Sequence, residues 1–187
     1  MFKFCSNKQR NKCVRGDVLT LYEPEELHDN QGNALITLDN VDKNKVIGVV
    51  FAKDKDLGLS PNCGTSGKLH IMSLKYKNLK YDGSTMLPTA YPSSTEFQNA
   101  VGSAVYNIGA GENPTEVWRL FTLTEANVHC MYEPQMYMVQ AALANLGGSV
   151  ITQTWTDTAG IARNCCTTAG VPLSSNYKAR PVITLAY

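Results

Sequence analysis

Two stretches in the middle of the chain carry the same signal for starting a helix, and strand-forming runs lie on both sides of them. In Ser93-Ser94-Thr95-Glu96 the Ser93 hydroxyl can accept from the Glu96 amide while the glutamate reaches back to the Ser93 amide. Phe97, Ala100, Val101, Ala104 and Val105 then fall on one helical face, until Gly109 and Gly111 stop the run. Thr122 and Glu125 repeat the box. Because Pro134 divides this second segment, the pattern predicts a short helix from Leu123 to about Tyr132 and another from Gln135 to Leu146, capped by Gly147. Val139, Ala142, Leu143 and Leu146 form the apolar face of the latter. Strands, two helices, then strands is the order of an α+β fold, and two capped helices in the middle exclude an immunoglobulin-like sandwich.

The front half is β-rich. Val18–Tyr22, Ala34–Leu38 and Lys45–Phe51 read as strands, with turns at Asp29–Asn33 and Asp39-Asn40. The run after Lys45 is apolar on both faces, which predicts a central strand. Asp54–Gly67 reads as a loop, and Lys68–Leu74 as a further strand with His70, Met72 and Leu74 on one face. Residues 1–16 are polar and basic, with Lys3, Lys8, Arg10, Lys12 and Arg15 among them and no helical or strand period. They read as an N-terminal arm, suited either to anchor the chain in an assembly or to pack back on its own domain. In the tail, Val150–Trp155, Ile161–Cys166 and Val182–Leu185 read as strands.

Four runs in the second half occur in a fixed order: Trp118-Arg119-Leu120-Phe121-Thr122-Leu123-Thr124-Glu125, then Val139–Gly148, then Thr154-Trp155-Thr156-Asp157-Thr158, then Arg180-Pro181-Val182. Together they resemble the bacterial and phage branch of the C-type-lectin-like family, whose pattern is W-R-L-P-T-x-x-E, a helix ending I-N-x-A-L-x-x-x-G-G, Y-W-S-S-T and a terminal R-P-V strand. Phe121 stands where that family has proline, and Thr156-Asp157 replaces its serine pair. The resemblance runs from Asp82 to Tyr187. It implies two short helices on a small antiparallel sheet, forming one domain over 17–187 with a β-rich front part (17–81) and a part bearing helices and a display loop (82–187). It also implies that the last strand pairs with an early one, and that the segment from Thr156 to Lys178 is an exposed face that contacts ligands. On that face the expected ligand-binding residues are Trp155, Asp157, Arg163, Asn164, Asn176, Tyr177 and Lys178.

Catalytic chemistry finds no foothold in the sequence. No serine or cysteine has a recognisable base, and no glycine-rich loop follows a strand to cradle phosphate. Cys63, His70, His129, Cys130, Cys165 and Cys166 lack the spacings that bring ligands onto one metal, and the six cysteines of this good-sized domain read mainly as reduced thiols. Glu133-Pro134-Gln135 is similar to the sugar-specificity tripeptide of calcium-dependent lectins, but it stands without the Trp-Asn-Asp run that completes such a site. No catalytic residue, metal or cofactor is therefore expected. A net charge of +1 gives no field for nucleic acid, and no run is long enough to span a bilayer.

The start lacks an apolar segment of signal-peptide length, so synthesis in a cytoplasm is expected. A surface-exposed family without an export signal suggests a phage virion component released by lysis, such as a head fibre, decoration or receptor-binding protein. In this reading the arm (Lys3, Lys8, Arg10, Lys12, Arg15) engages capsid or tail proteins, the C-terminal loop engages a host surface glycan or protein, and the chain forms a homo-oligomer such as a trimer. The alternatives are a bacterial cell-surface adhesin or lipoprotein of the same fold and, further off, an oxidase of the formylglycine-generating type.

Overall fold

The computed structural model describes residues 3–59, 67–74, 77–80, 118–131, 133–148, 153–156, 162–164 and 176–187. The fold is mixed α/β, and its centre is a five-stranded sheet. In chain order its strands are β1 (Phe4–Ser6), β2 (Val18–Thr20), β3 (Val46–Lys53), β4 (Lys68–Met72) and, from the far end of the chain, β9 (Val182–Ala186). They lie side by side as β1-β2-β3-β4-β9, with β1 parallel to β2 and every other pair antiparallel. The sheet is therefore mixed rather than wholly antiparallel. Two further ladders stand apart from it: β5 (Lys77–Lys80) with β8 (Asn176–Ala179), and β6 (Gln153–Trp155) with β7 (Ala162–Asn164).

Strand β3 is central, as its apolar run predicts, and Val46 to Ala52 are all buried. β-Branched and aromatic side chains fill a pleated surface covered on both faces, which is where these residues are most stable in a strand. Gly48 is required there by close approach: a Cβ at this position would run into the backbone oxygen of Met72 and the side chain of Ile71 on β4. Gly48→Ala is accordingly expected to destabilise the fold by about 1–3 kcal/mol, read as a lower urea midpoint at unchanged m-value.

Two helices cover one face of β3: α2 (Leu123–Met131) and α3 (Glu133–Asn145). The predicted stripe Val139, Ala142, Leu143 and Leu146 is fully buried and joins Phe51, Met72, Phe121 and Val182 in the core. Helix α3 ends at Gly147 in the left-handed region (φ 74). There the Gly148 amide donates to Leu143 O at 2.8 Å and the Gly147 amide to Ala144 O at 3.0 Å. These paired bonds satisfy the carbonyls left open at a helix end, and glycine reaches this conformation without a Cβ penalty. The Glu133-Pro134-Gln135 tripeptide opens α3, where proline's missing amide costs nothing. The predicted helix after Ser93 lies outside the described residues.

Three expectations are corrected. Residues 4–6 are a strand rather than part of a structureless arm: Phe4, Cys5 and Ser6 are buried beside Val18, Leu19 and Thr20, so the sheet begins before Asp17. A 3-10 helix (Asn7–Lys12), capped by the Ser6 hydroxyl, carries the chain over to the parallel neighbour. Second, Ala34–Leu38 is not a strand; only Ala34 bridges, to His28. Side chains take the backbone groups that a ladder would use: Asp29 accepts from the Gln31 and Asn33 amides, and Asn40 bonds the Thr37 amide and the Leu35 carbonyl. Third, Asn176, Tyr177 and Lys178 are in strand β8, opposite Lys80, Leu79 and Asn78, rather than in a loop. A short helix, α1 (Pro24–Leu27), follows β2; Glu26 closes its capping box on the Glu23 amide.

Candidate functional site

Glu125 stands at the centre of the most polar part of the interior. The capping box is formed as the sequence indicates: the Glu125 amide donates to Thr122 Oγ1 at 3.1 Å, and the Thr122 amide to Glu125 Oε2 at 2.8 Å. The same carboxylate is also the anchor of an ion-pair network. Arg119 grips it in a fork, Nη1 to Oε2 and Nη2 to Oε1, both at 2.7 Å. Arg119 Nη2 also donates to Thr184 Oγ1 on β9 at 2.7 Å, and Nη1 to Leu120 O at 3.0 Å.

On its other side Glu125 Oε1 lies 2.6 Å from His70 Nδ1, and His70 Nε2 lies 2.8 Å from Asp54 Oδ1. Asp54 Oδ2 in turn accepts from the Lys68 amide at 3.0 Å. The imidazole thus sits between two carboxylates; it can donate to one of them as a neutral ring and to both as an imidazolium. Burial opposes ionisation of Glu125, but the hydrogen bonds from Arg119 and His70 outweigh it and hold the carboxyl down at about 2.

This network forms the floor of a cavity of about 600 Å³, within the range of small-molecule sites. Leu57, Leu59 and Ala186 supply apolar wall, and Lys68 and Thr124 are exposed at its edge. Chemically the floor is a brace. Both oxygens of Glu125 and both ring nitrogens of His70 already face protein partners, so their first effect is to fasten α2, β4, β9 and the segment at Asp54 to one another. Among the described residues no group of three or more His, Cys, Asp or Glu side chains is arranged to hold a metal ion.

A second buried histidine lies behind the brace. His129 on α2 stacks on Phe121 (6.1 Å between centroids) and meets Phe51 edge-on. Burial, with Arg15 and Arg180 nearby, drives its pKa down to about 3, so it stays neutral.

The sequence-predicted ligand residues are placed only in part. Arg163 and Asn164 are in β7, opposite Thr154 and Gln153, and Trp155 is in β6 opposite Ala162. Asn176, Tyr177 and Lys178 share strand β8. Asp157 and most of the segment from 157 to 175 lie outside the described residues. These positions are thus divided between two ladders.

The basic N-terminal residues are engaged with their own domain. Lys8 pairs with Glu23 at 2.8 Å, Lys3 lies 4.0 Å from Asp17, and Arg10 donates to Ala186 O at 2.8 Å. Arg15 donates to the carbonyls of Val128 and His129 at the C-terminal end of α2, where a cation complements the helix dipole. Lys12 is exposed. Cys130 is disulfide-bonded to a partner outside the described residues, whereas Cys5 and Cys13 are free, so the expectation of mainly reduced thiols is corrected at Cys130.

One connection decides how the parts are joined. Arg119 pairs through its backbone with Val182 on the outer edge of β9, at 2.9 and 2.8 Å, and two residues later Phe121 bridges to Thr156, just after β6. The run Trp118–Phe121 is thus a seam between the central sheet and the β6–β7 ladder. Compared with protein-family patterns, characterised proteins and solved structures, the chain matches none. No helix among the described residues is long and apolar enough to cross a membrane.

Proposed function

We propose that this chain is a non-catalytic surface component of a phage virion, a head fibre, decoration or receptor-binding protein, displaying a ligand-binding face on a C-type-lectin-like scaffold. The seam is the observation that carries the reading. The Trp118–Glu125 run, the first of the four runs that carry the resemblance, spends its polar groups on fastening: Arg119 and Glu125 on each other, the Arg119 backbone on β9, and Phe121 on Thr156. A rigid support of this kind beside the β6–β7 ladder suits display, because a face held in place loses little entropy on contact. The ladders carry Trp155, Arg163, Asn164, Asn176, Tyr177 and Lys178. Host surface glycan or protein is the expected ligand, and capsid or tail proteins the expected neighbours.

The test is co-purification. The chain should remain with infectious particles through a density gradient, and Arg163→Ala combined with Lys178→Ala should lower particle adsorption to host cells by about tenfold without moving the melting temperature. Recovery in the cell envelope, with none in particles, would favour a bacterial cell-surface adhesin of the same fold. The Cys130 disulfide supports that second reading, since such bonds persist in oxidising compartments.

A further inference from the structure

We propose that Cys5 and Cys13 form a latent disulfide site, at which exchange with a small-molecule disulfide ties edge strand β1 to the turn that leads into β2. Both thiols are free and buried, Cys13 completely. The two side chains interact with each other, and one carboxylate ties the segments that carry them: Cys5 Sγ donates to Asp17 Oδ2 at 3.5 Å, and the same oxygen accepts the amide of Val14, the chain neighbour of Cys13, at 2.9 Å. A single buried cysteine is an ordinary small apolar side chain. Two that touch, on segments held by one carboxylate, are a dithiol. The segment between them is not a regular helix, because Gln9 (φ −127, ψ 43) interrupts it, and the Cys13 Sγ contact to Gln9 O is long, at 3.8 Å. The short loop therefore has a joint at which it can adjust. The Cys130 disulfide places oxidised sulfur chemistry in this chain already.

With oxidised glutathione as the oxidant, one protein thiolate attacks a glutathione sulfur and expels the other half as a thiolate. The second protein thiolate then attacks the mixed disulfide and expels the remaining glutathione. Overall two protein thiols lose two protons and two electrons, and one glutathione disulfide gains them and leaves as two thiols. The interaction with Cys13, burial and the Asp17 carboxylate keep the Cys5 thiol protonated, so exchange should be slow at neutral pH and faster at alkaline pH.

The full chain would be equilibrated in mixtures of reduced and oxidised glutathione, alkylated and digested with trypsin. Cleavage after Lys3, Lys8, Lys12 and Arg15 separates Phe4–Lys8 from Cys13–Arg15. The expected product is these two peptides joined by a disulfide. It should accumulate faster at alkaline pH, and native-state cleavage after Lys8 and Arg10 should slow several-fold as it forms. Recovery of both peptides separately alkylated, each carrying glutathione, or joined to another cysteine while Cys130 stays bridged, would overturn the proposal. Cys13→Ser should abolish the joined product, and the map of the wild-type chain decides the question even where that variant fails to fold.

Discussion

Glu125→Ala is expected to cost about 3–5 kcal/mol of folding stability, the range for removing one partner of a buried ion pair. The size follows from what the carboxylate does at once. It is 1% exposed and receives the Arg119 fork, the His70 ring and the Thr122 amide. Truncation leaves a guanidinium without its counter-charge, a helix start without half its capping box and an imidazole facing a void. Arg119→Ala should cost less, because its side chain is 35% exposed and water can enter. Gln in place of Glu125 keeps the shape and part of the hydrogen bonding, and should fall between wild type and alanine. Equilibrium urea unfolding at neutral pH measures all three. A loss below about 1 kcal/mol for the alanine variant would mean that the network does not brace the fold. The carboxyl also sets an acid limit. Its folded pKa of about 2 lies below the ordinary 4.5, so its contribution is complete above 4.5 and disappears as the pH falls towards 2.

What could be read in the sequence depended on whether the cause was local. The Thr122–Glu125 box, the Gly147 stop, the buried stripe of α3 and the doubly apolar β3 all follow from residues close together in the chain, and each is present. Strand β1 was missed because three residues in a basic context carry no period; burial beside Val18 makes them a strand. The run from Ala34 to Leu38 is the opposite case: it reads as a strand from its apolar residues, but the Asn40 side chain takes the Thr37 amide and the Leu35 carbonyl, and Leu35 and Leu38 stay exposed. The brace shows the limit most clearly. Arg119 and Glu125 lie within one motif, and their spacing could have suggested a pair. Asp54, His70 and Thr184 arrive from three other segments: the register of β4 against β9 sets His70 opposite Thr184, and the turn after β3 brings Asp54 to the Lys68 amide and the His70 ring. Of the residues expected on the ligand-binding face, Arg163 and Asn164 lie in a run that reads as a strand, whereas nothing local to Tyr177 and its neighbours signals their pairing with residues 77–80.

Mild acid is expected to destabilise the domain through His129 before the carboxylates take part. In the folded chain the ring is buried against Phe51 and Phe121, Arg15 and Arg180 add repulsion, and among the described residues Nδ1 has no partner. Its folded pKa of about 3 lies below the ordinary 6.5, so between these values the unfolded chain binds a proton that the folded chain refuses. Stability is therefore complete above 6.5, falls as pH drops through the window, and has no further loss from this group below 3. The slope is roughly 1 kcal/mol per pH unit, on the order of 4 kcal/mol across the window. Glu125 titrates in the unfolded chain only near 4.5, so between neutrality and that point its contribution is constant. His129→Phe isolates the effect: an aromatic ring of similar outline preserves the stacking and has no proton to accept. The difference in unfolding free energy between wild type and this variant should move in favour of phenylalanine by roughly 1 kcal/mol for each unit of acidification below 6.5. A pH-independent difference would mean that the folded ring accepts its proton as readily as the unfolded one, and that α2 is not closed over His129.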